Sequence, residues 1–132
     1  MAFIACTNCS LPYPETGVPY RCPRCGGSFD IKEWPAYRAP QAGSDAPGIW
    51  RYRENFGLAE MLPAVSLGEG NSPLVWTEIE GRKVGFKLES HNPSGSYKDR
   101  GSATLLGFLL SRGVSSAVED SSGNAGASFA AY

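Results

Sequence analysis

The chain has 132 residues, 42% of them hydrophobic, with 12 basic and 13 acidic side chains and a formal net charge of −1. This is an ordinary soluble composition, enough for one modest core, and without a basic block it argues against a general nucleic-acid binder, although Arg21 and Arg24 are locally positive. No apolar stretch is long enough to span a bilayer, and the start Met1-Ala2-Phe3-Ile4-Ala5-Cys6 lacks the basic and apolar regions of a secretory signal, so no membrane partner is expected and the cytoplasm is the default location.

The four cysteines fall as Cys6-x-x-Cys9 and Cys22-x-x-Cys25 around a twelve-residue spacer rich in Pro, Tyr and Gly. Each short turn presents two thiolates to one side of a tetrahedral ion, which is the layout of a zinc ribbon over residues 1–33. The alternatives are a pair of disulfides or a redox motif. Disulfides need an oxidising compartment for which there is no targeting signal, and a thioredoxin-like site needs only one Cys-x-x-Cys. With Cys6, Cys9, Cys22 and Cys25 all as ligands, the zinc has no open position and its role is structural.

Residues 34–47 are dense in Pro, Ala, Gly and Ser and read as an extended linker. The fold restarts at Gly48. Ile49, Trp50 and Tyr52 precede Phe56, Leu58, Met61 and Leu62, a pattern compatible with a short helix that Pro63 ends. The following loop, Gly68-Glu69-Gly70-Asn71-Ser72-Pro73, lacks the Gly-Lys-Ser/Thr ending of a nucleotide phosphate loop. Two strands come next, at 74–79 and 84–88, joined by Glu80-Gly81-Arg82, and their alternation suits a half-buried hairpin.

Asn92-Pro93 and Gly95 stop the second strand, and Ser96 followed three residues later by Asp99 predicts a capping box. A helix from Tyr97 to about Arg112 is expected, capped by Gly113 and buried between layers at its apolar C-terminal half. Lys98 then lies in the first turn, where free N–H groups and the positive end of the macrodipole favour the neutral, nucleophilic amine of a Schiff-base lysine. Ala117 and Val118 begin a predicted inner strand, after which Ser121-Ser122-Gly123-Asn124-Ala125-Gly126 opens another small-residue helix. This is a βαβ-type unit with both loops at strand C-termini, where α/β sheets bind ligands, and the second loop offers N–H groups suited to a carboxylate or phosphate. That last helix has no stop signal before Tyr132, which gives the chain the look of a fragment.

The lysine loop from Asn92 to Gly101, the run Glu119-Asp120-Ser121-Ser122-Gly123-Asn124-Ala125-Gly126-Ala127-Ser128, the stretch Ser66-Leu67-Gly68-Glu69-Gly70-Asn71-Ser72-Pro73-Leu74 and the upstream Ile49-Trp50-Arg51-Tyr52-Arg53 share one likeness. Together they resemble the pyridoxal-phosphate enzymes of the tryptophan-synthase-β type, and within them the threonine synthases. Members of that group often carry an N-terminal zinc ribbon, and Cys22-Pro23-Arg24-Cys25-Gly26-Gly27 with Phe29-Asp30 resembles its second knuckle. The resemblance implies an α/β fold: a zinc ribbon followed by the beginning of a fold-type-II αβα catalytic domain over residues 48–132, incomplete and inactive by itself. The glycine-rich loop that holds the cofactor phosphate in the family would lie beyond Tyr132.

By the same resemblance Lys98 is the catalytic, cofactor-binding lysine. Asn124 donates to the cofactor's 3′-oxygen, and Ser121, Ser122, Gly123, Asn124 and Ala125 bind the substrate. A stretch similar to 68–73 lines the route to the active site. Tyr97 packs near the cofactor edge, Asp99 and Arg100 fix the loop by pairing, and His91 stays outside the site. The implied reaction converts O-phospho-L-homoserine and water to L-threonine and phosphate, and the resemblance implies a homodimer for the full-length enzyme. Ala125 stands where several threonine synthases have a hydroxyl residue, which keeps a serine/threonine dehydratase open as an alternative. A zinc-ribbon binding module, with no enzyme chemistry, is the reading from a different class.

Overall fold

The computed structural model describes residues 3–40, 46–57 and 65–132. They form two compact units. The first joins Met1–Ser44, Tyr52–Pro63 and Gly107–Ala117; the second joins Asp45–Arg51, Ala64–Leu106 and Val118–Tyr132.

In the first unit β1 (Phe3–Cys6) pairs antiparallel with β2 (Phe29–Glu33), Cys6 facing Phe29 and Ile4 facing Ile31. The two Cys-x-x-Cys turns close alike. Ser10 N–H donates to the Cys6 carbonyl and Gly26 N–H to the Cys22 carbonyl, and both donors sit at positive φ, 57° and 73°. Ala5, Cys6 and Cys22 are buried. Tyr13 meets Phe29 edge-on at 4.7 Å between ring centroids and leans on Phe108 at 6.5 Å. Arg112 lies over both Tyr13 and Phe108 and donates to the Pro14 carbonyl at 2.7 Å. These contacts bind the cysteine segment to the C-terminal turns of α1 (Lys98–Ser111), which belong to the same unit.

The second unit opens on the first four residues of a 3-10 helix, Gly48–Phe56, of which Gly48, Ile49 and Trp50 are buried. Trp50 N–H donates to the Pro47 carbonyl, the tighter i→i+3 spacing that short helices adopt. The expected ending at Pro63, with Leu58, Met61 and Leu62, lies outside the described residues. Next comes a hairpin, β3 (Leu74–Ile79) and β4 (Arg82–Lys87), in register from Leu74 opposite Lys87 to Ile79 opposite Arg82. Its two-residue turn puts Glu80 and Gly81 at φ 49° and 73°, the type I′ pattern whose twist matches the strands. The second strand thus starts two residues before the expected 84.

The hairpin was expected to be half-buried, and the structure corrects this. Every residue of β3 is exposed and only Val84 of β4 is half-buried. The expected inner strand at Ala117-Val118 is absent as well: residues 114–122 form no ladder and Val118 is 97% exposed. Among the described residues the sheets are two antiparallel pairs, with no parallel βαβ unit. A parallel inner strand exists only through hydrogen bonds to neighbouring strands, and among the described residues all pairing is antiparallel: β1 with β2 and through one bridge to Pro12, β3 with β4. Neither ligand loop therefore sits at the C-terminus of a parallel strand. For the same reason α1 is not sandwiched, since Leu105 and Leu110 are about half exposed.

α1 begins one residue after the expected Tyr97 and ends in a Schellman motif. Gly113 N–H donates to Leu110 and Val114 N–H to Leu109, with Gly113 at φ 74°. α2 (Asn124–Ala131) follows, with Gly123 as its cap.

Candidate functional site

Lys98 is the first residue of α1, half-buried, its Nζ 4.8 Å from the centroid of the exposed Tyr97 ring. The turn before it is held from several sides. Ser96 Oγ accepts the Lys98 N–H at 3.2 Å. The Asp99 carboxylate does not close the expected capping box onto the N–H of Ser96. It reaches back to Ser94 instead, accepting its N–H at 2.7 Å and its hydroxyl. Gly95, at φ 82°, donates to the Asn92 carbonyl, and that tight turn brings Ser94 within reach of Asp99.

Asn92, which the sequence marks only as a strand stop, is a buried bracket. Its Oδ1 accepts the Gly70 N–H at 2.9 Å, while its Nδ2 donates to the carbonyl and the carboxylate of Glu89 at 2.8 and 2.9 Å. The lysine loop and the Gly68-to-Ser72 loop are therefore one hydrogen-bonded body. Arg100 completes it with two 2.9 Å bonds to Glu89 and a 3.0 Å bond to Ser72 Oγ. The Arg100 guanidinium, aided by Ser72 and Asn92, pulls the Glu89 carboxyl down from 4.5 to about 2. The expected pairing role of Arg100 is met by Glu89. Asp99 pairs with hydroxyls rather than with a cation.

Glu69, at the centre of the Gly68-to-Ser72 loop, is completely buried. It accepts Trp50 Nε1–H at 2.6 Å, Tyr132 O–H at 2.7 Å, Leu67 N–H at 3.0 Å and Ser66 O–H at 3.2 Å. Burial, with the adjacent Glu69 carboxylate, raises the Tyr132 hydroxyl far above its ordinary value and keeps it a donor.

The second loop is more open. Ser121, Ser122, Gly123 and Asn124 are exposed and Ala125 is half-buried. Asn124 occupies the first position of α2, whose leading N–H groups have no intrahelical acceptor. Ser121 N–H donates to Glu119 Oε2 at 2.8 Å and Gly123 N–H to Ser121 Oγ at 3.2 Å. Gly126 lets this loop fold onto the helix, because a Cβ there would stand 2.7 Å from the Ser121 carbonyl oxygen.

One contact joins the loops. Ser128, one turn beyond Asn124 and completely buried, donates to Asp99 Oδ1 at 2.6 Å, and its oxygen lies 2.7 Å from Ser102 Oγ. Burial works to raise the Asp99 carboxyl, but the hydroxyls of Ser128 and Ser94 and the Ser94 N–H outweigh it and hold it below its ordinary value. The neighbour of Lys98 is thus bonded to the helix that Asn124 begins. Ser128, Asn92 and Glu69 went unnoticed as individual side chains in the sequence; the spacing of Ser128 four residues after Asn124 was the one available signal. His91 is exposed, in the 3-10 turn Glu89–His91.

In the first unit the sulfurs of Cys6, Cys9, Cys22 and Cys25 all lie within 4.8 Å of one another, and all four are free of disulfides. Cys6 and Cys25 are 3.5 Å apart, Cys9 and Cys22 3.6 Å. Against the effect of burial, the N–H groups of Cys9 and Asn8 and the nearby thiols lower Cys6 to about 6. The Gly27 N–H lowers Cys25, but the thiols of Cys9 and Cys6 push it up to about 12. Four thiolates this close together repel one another unless a cation joins them. The donor set and spacing fit a metal ion held by four sulfurs.

No helix among the described residues is long and apolar enough to cross a membrane. Residues 65–132 match the profile of the family described as pyridoxal-phosphate dependent enzyme. The chain is 29% identical over 144 residues to the threonine synthase of Methanosarcina acetivorans, an alignment covering all of this chain and 34% of the relative. It is 31% identical over 137 residues to that of Methanocaldococcus jannaschii, covering 96% of this chain and 34% of the relative. Against the threonine synthase of Mycobacterium leprae the identity is 37% over 91 residues, 65% of this chain and 25% of the relative. The chain spans about a third of the length of the first two relatives. No solved structure gives a significant match.

Proposed function

We propose that this chain, which belongs to the pyridoxal-phosphate dependent enzyme family, contributes the lysine and the carboxylate-binding loop of a threonine synthase. The reaction is conversion of O-phospho-L-homoserine and water to L-threonine and phosphate. The observation that carries the reading is the Asp99–Ser128 bond, which ties the Lys98 turn to the helix begun by Asn124. The relatives' name, threonine synthase, supports this choice within the family.

The residues fit the cofactor chemically. A half-buried primary amine, an exposed amide, two hydroxyls and a helix start with free N–H groups are the donors that an aldehyde, a phenolic oxygen and a carboxylate need. When bound, pyridoxal phosphate supplies an electron sink for charge that develops at the α-carbon of an amino acid. Lys98 would hold the cofactor through its amine and, as a free amine, would carry protons at the α- and β-carbons of the substrate. Asn124 orients the ring through its 3-oxygen. Ser121, Ser122, Gly123 and Ala125 grip the α-carboxylate with hydroxyl and N–H groups, and that carboxylate displaces Glu119 from the Ser121 N–H. The bracket of buried Asn92 with half-buried Glu89 and Arg100 keeps the lysine loop rigid.

Residues 1–33 form a zinc ribbon in this reading, with Cys6, Cys9, Cys22 and Cys25 closing a tetrahedral shell around a structural ion. Residues 34–47 are a linker, and residues 48–132 belong to the catalytic domain. The sulfur cluster supports the metal.

The test adds pyridoxal phosphate to the full-length protein. A visible absorption band should form and be lost in Lys98→Ala, and phosphate should be released from O-phospho-L-homoserine together with threonine. Without a Lys98-dependent band the reading fails. Ala125, in place of a hydroxyl, favours a second substrate class, serine or threonine undergoing dehydration. Release of ammonia and a keto acid, with no phosphate release, would select it.

A further inference from the structure

A carboxylate with no exposure and, among the described residues, no ion pair is costly unless dipoles converge on it, and Asp99 has three such donors. Two come from Ser94, in the loop that delivers Lys98. The third comes from Ser128 of α2, 29 residues away. Ser128 has one proton, which goes to Asp99, because an ionised carboxylate only accepts; Ser102 must then donate its own proton across the 2.7 Å to the Ser128 oxygen. The relay Ser102, Ser128, Asp99, Ser94 is buried at three of its members, and Ser94 is half-buried. Every polar side-chain atom buried in it has a partner. Such a satisfied buried network permits one arrangement of its members and penalises the others.

The relay has a defined place. Asp99 is the residue after Lys98 at the start of α1, and Ser128 stands one turn after Asn124 on α2. A bond between them fixes how the first turns of two helices face each other, and those turns carry the amine and the amide assigned to the cofactor. We propose that Asp99 and Ser128 are positioning residues, which set the register between Lys98 and Asn124 so that both reach one pyridoxal phosphate ring. The inference rests on the cofactor reading above. Neither residue touches the cofactor; both act through their neighbours.

The experiment uses the full-length protein, with wild type, Ser128→Ala and Asp99→Asn titrated with pyridoxal phosphate. The visible band gives the dissociation constant and the midpoint pH of its own titration, and amide hydrogen exchange is measured on the cofactor-free protein. Ser128→Ala removes one hydroxyl with little change in volume. It should weaken cofactor binding roughly tenfold or more, as expected for a lost hydrogen bond to a charged group. It should also move the midpoint pH of the band and speed exchange in the first turn of α2, leaving the hairpin unchanged. Asp99→Asn keeps an acceptor for Ser128 but turns an NH₂ toward a Ser94 donor, and should show the same pattern more strongly.

Unchanged dissociation constant and midpoint pH in both variants, with only a lower unfolding midpoint, would show a packing role and overturn the inference while leaving the cofactor reading intact. A wild-type protein without a Lys98-dependent band would overturn both.

Discussion

Three carboxylates of the second unit are satisfied by different means, Glu69 and Asp99 buried and Glu89 half-buried. Glu89 has the Arg100 guanidinium; Asp99 and Glu69 have only neutral hydroxyl and N–H donors. Glu89 and Asp99 are both held below their ordinary values, so the unfolded chain binds protons more readily than the folded one as pH falls. Their stabilisation is complete above the ordinary carboxylate range and is lost as pH drops, for Glu89 from about 4.5 toward about 2. Glu89→Gln should remove on the order of 2 kcal/mol at neutral pH, partial exposure having screened the pair, and should flatten the acid limb of unfolding followed by circular dichroism. At Glu69 the sensitive element is the donor set. Trp50→Phe leaves a buried carboxylate oxygen without its indole N–H and should cost about 1–3 kcal/mol in denaturant unfolding. Gly48 is more constrained still, with φ 55° and an added Cβ only 1.9 Å from the Glu69 carbonyl oxygen. Gly48→Ala should cost on the order of 3 kcal/mol by the same measurement.

Elements differ in how much of their cause is local. The turn of the hairpin was legible because Gly81 tolerates positive φ, and the end of α1 because Gly113 does. The two Cys-x-x-Cys turns were legible for a similar reason: four residues each fix where two sulfurs point. Ala117-Val118 failed as a strand because a strand is defined by its neighbours, and no apolar alternation reports who those are. The capping box failed more narrowly. Ser96 and Asp99 have the right spacing, but Gly95 swings Ser94 close enough to take the carboxylate first. Ser128 was hidden because one serine in an alanine-rich helix carries no record of an aspartate 29 positions earlier. At this scale the sulfur cluster makes its own prediction. Zinc should bind at one ion per chain, read by native mass spectrometry, and Cys9→Ser should abolish it. Chelation should release the order of β1 and β2, seen as accelerated amide exchange there.

Across the whole chain the family profile begins at residue 65, so the cysteine segment falls outside it, although the alignments to two archaeal threonine synthases extend over all or nearly all of the chain. Lys98 and Asn124 stand out as candidates in the sequence because each loop is written in contiguous residues. What holds the loops, namely Asn92, Glu89, Arg100, Asp99 and Ser128, is spread over 40 positions, from 89 to 128, and emerges only when the chain is folded.

The hairpin has a practical consequence. Val75, Ile79 and Phe86 line one of its faces at 45–47% exposure, and each strand keeps one edge unpaired among the described residues. Apolar area beside free backbone donors is adhesive, and Arg82 is the one charge on that face, Glu78, Lys83 and Lys87 lying on the other. A solution of the 132-residue polypeptide should scatter light increasingly with concentration, and Phe86→Lys should clear it.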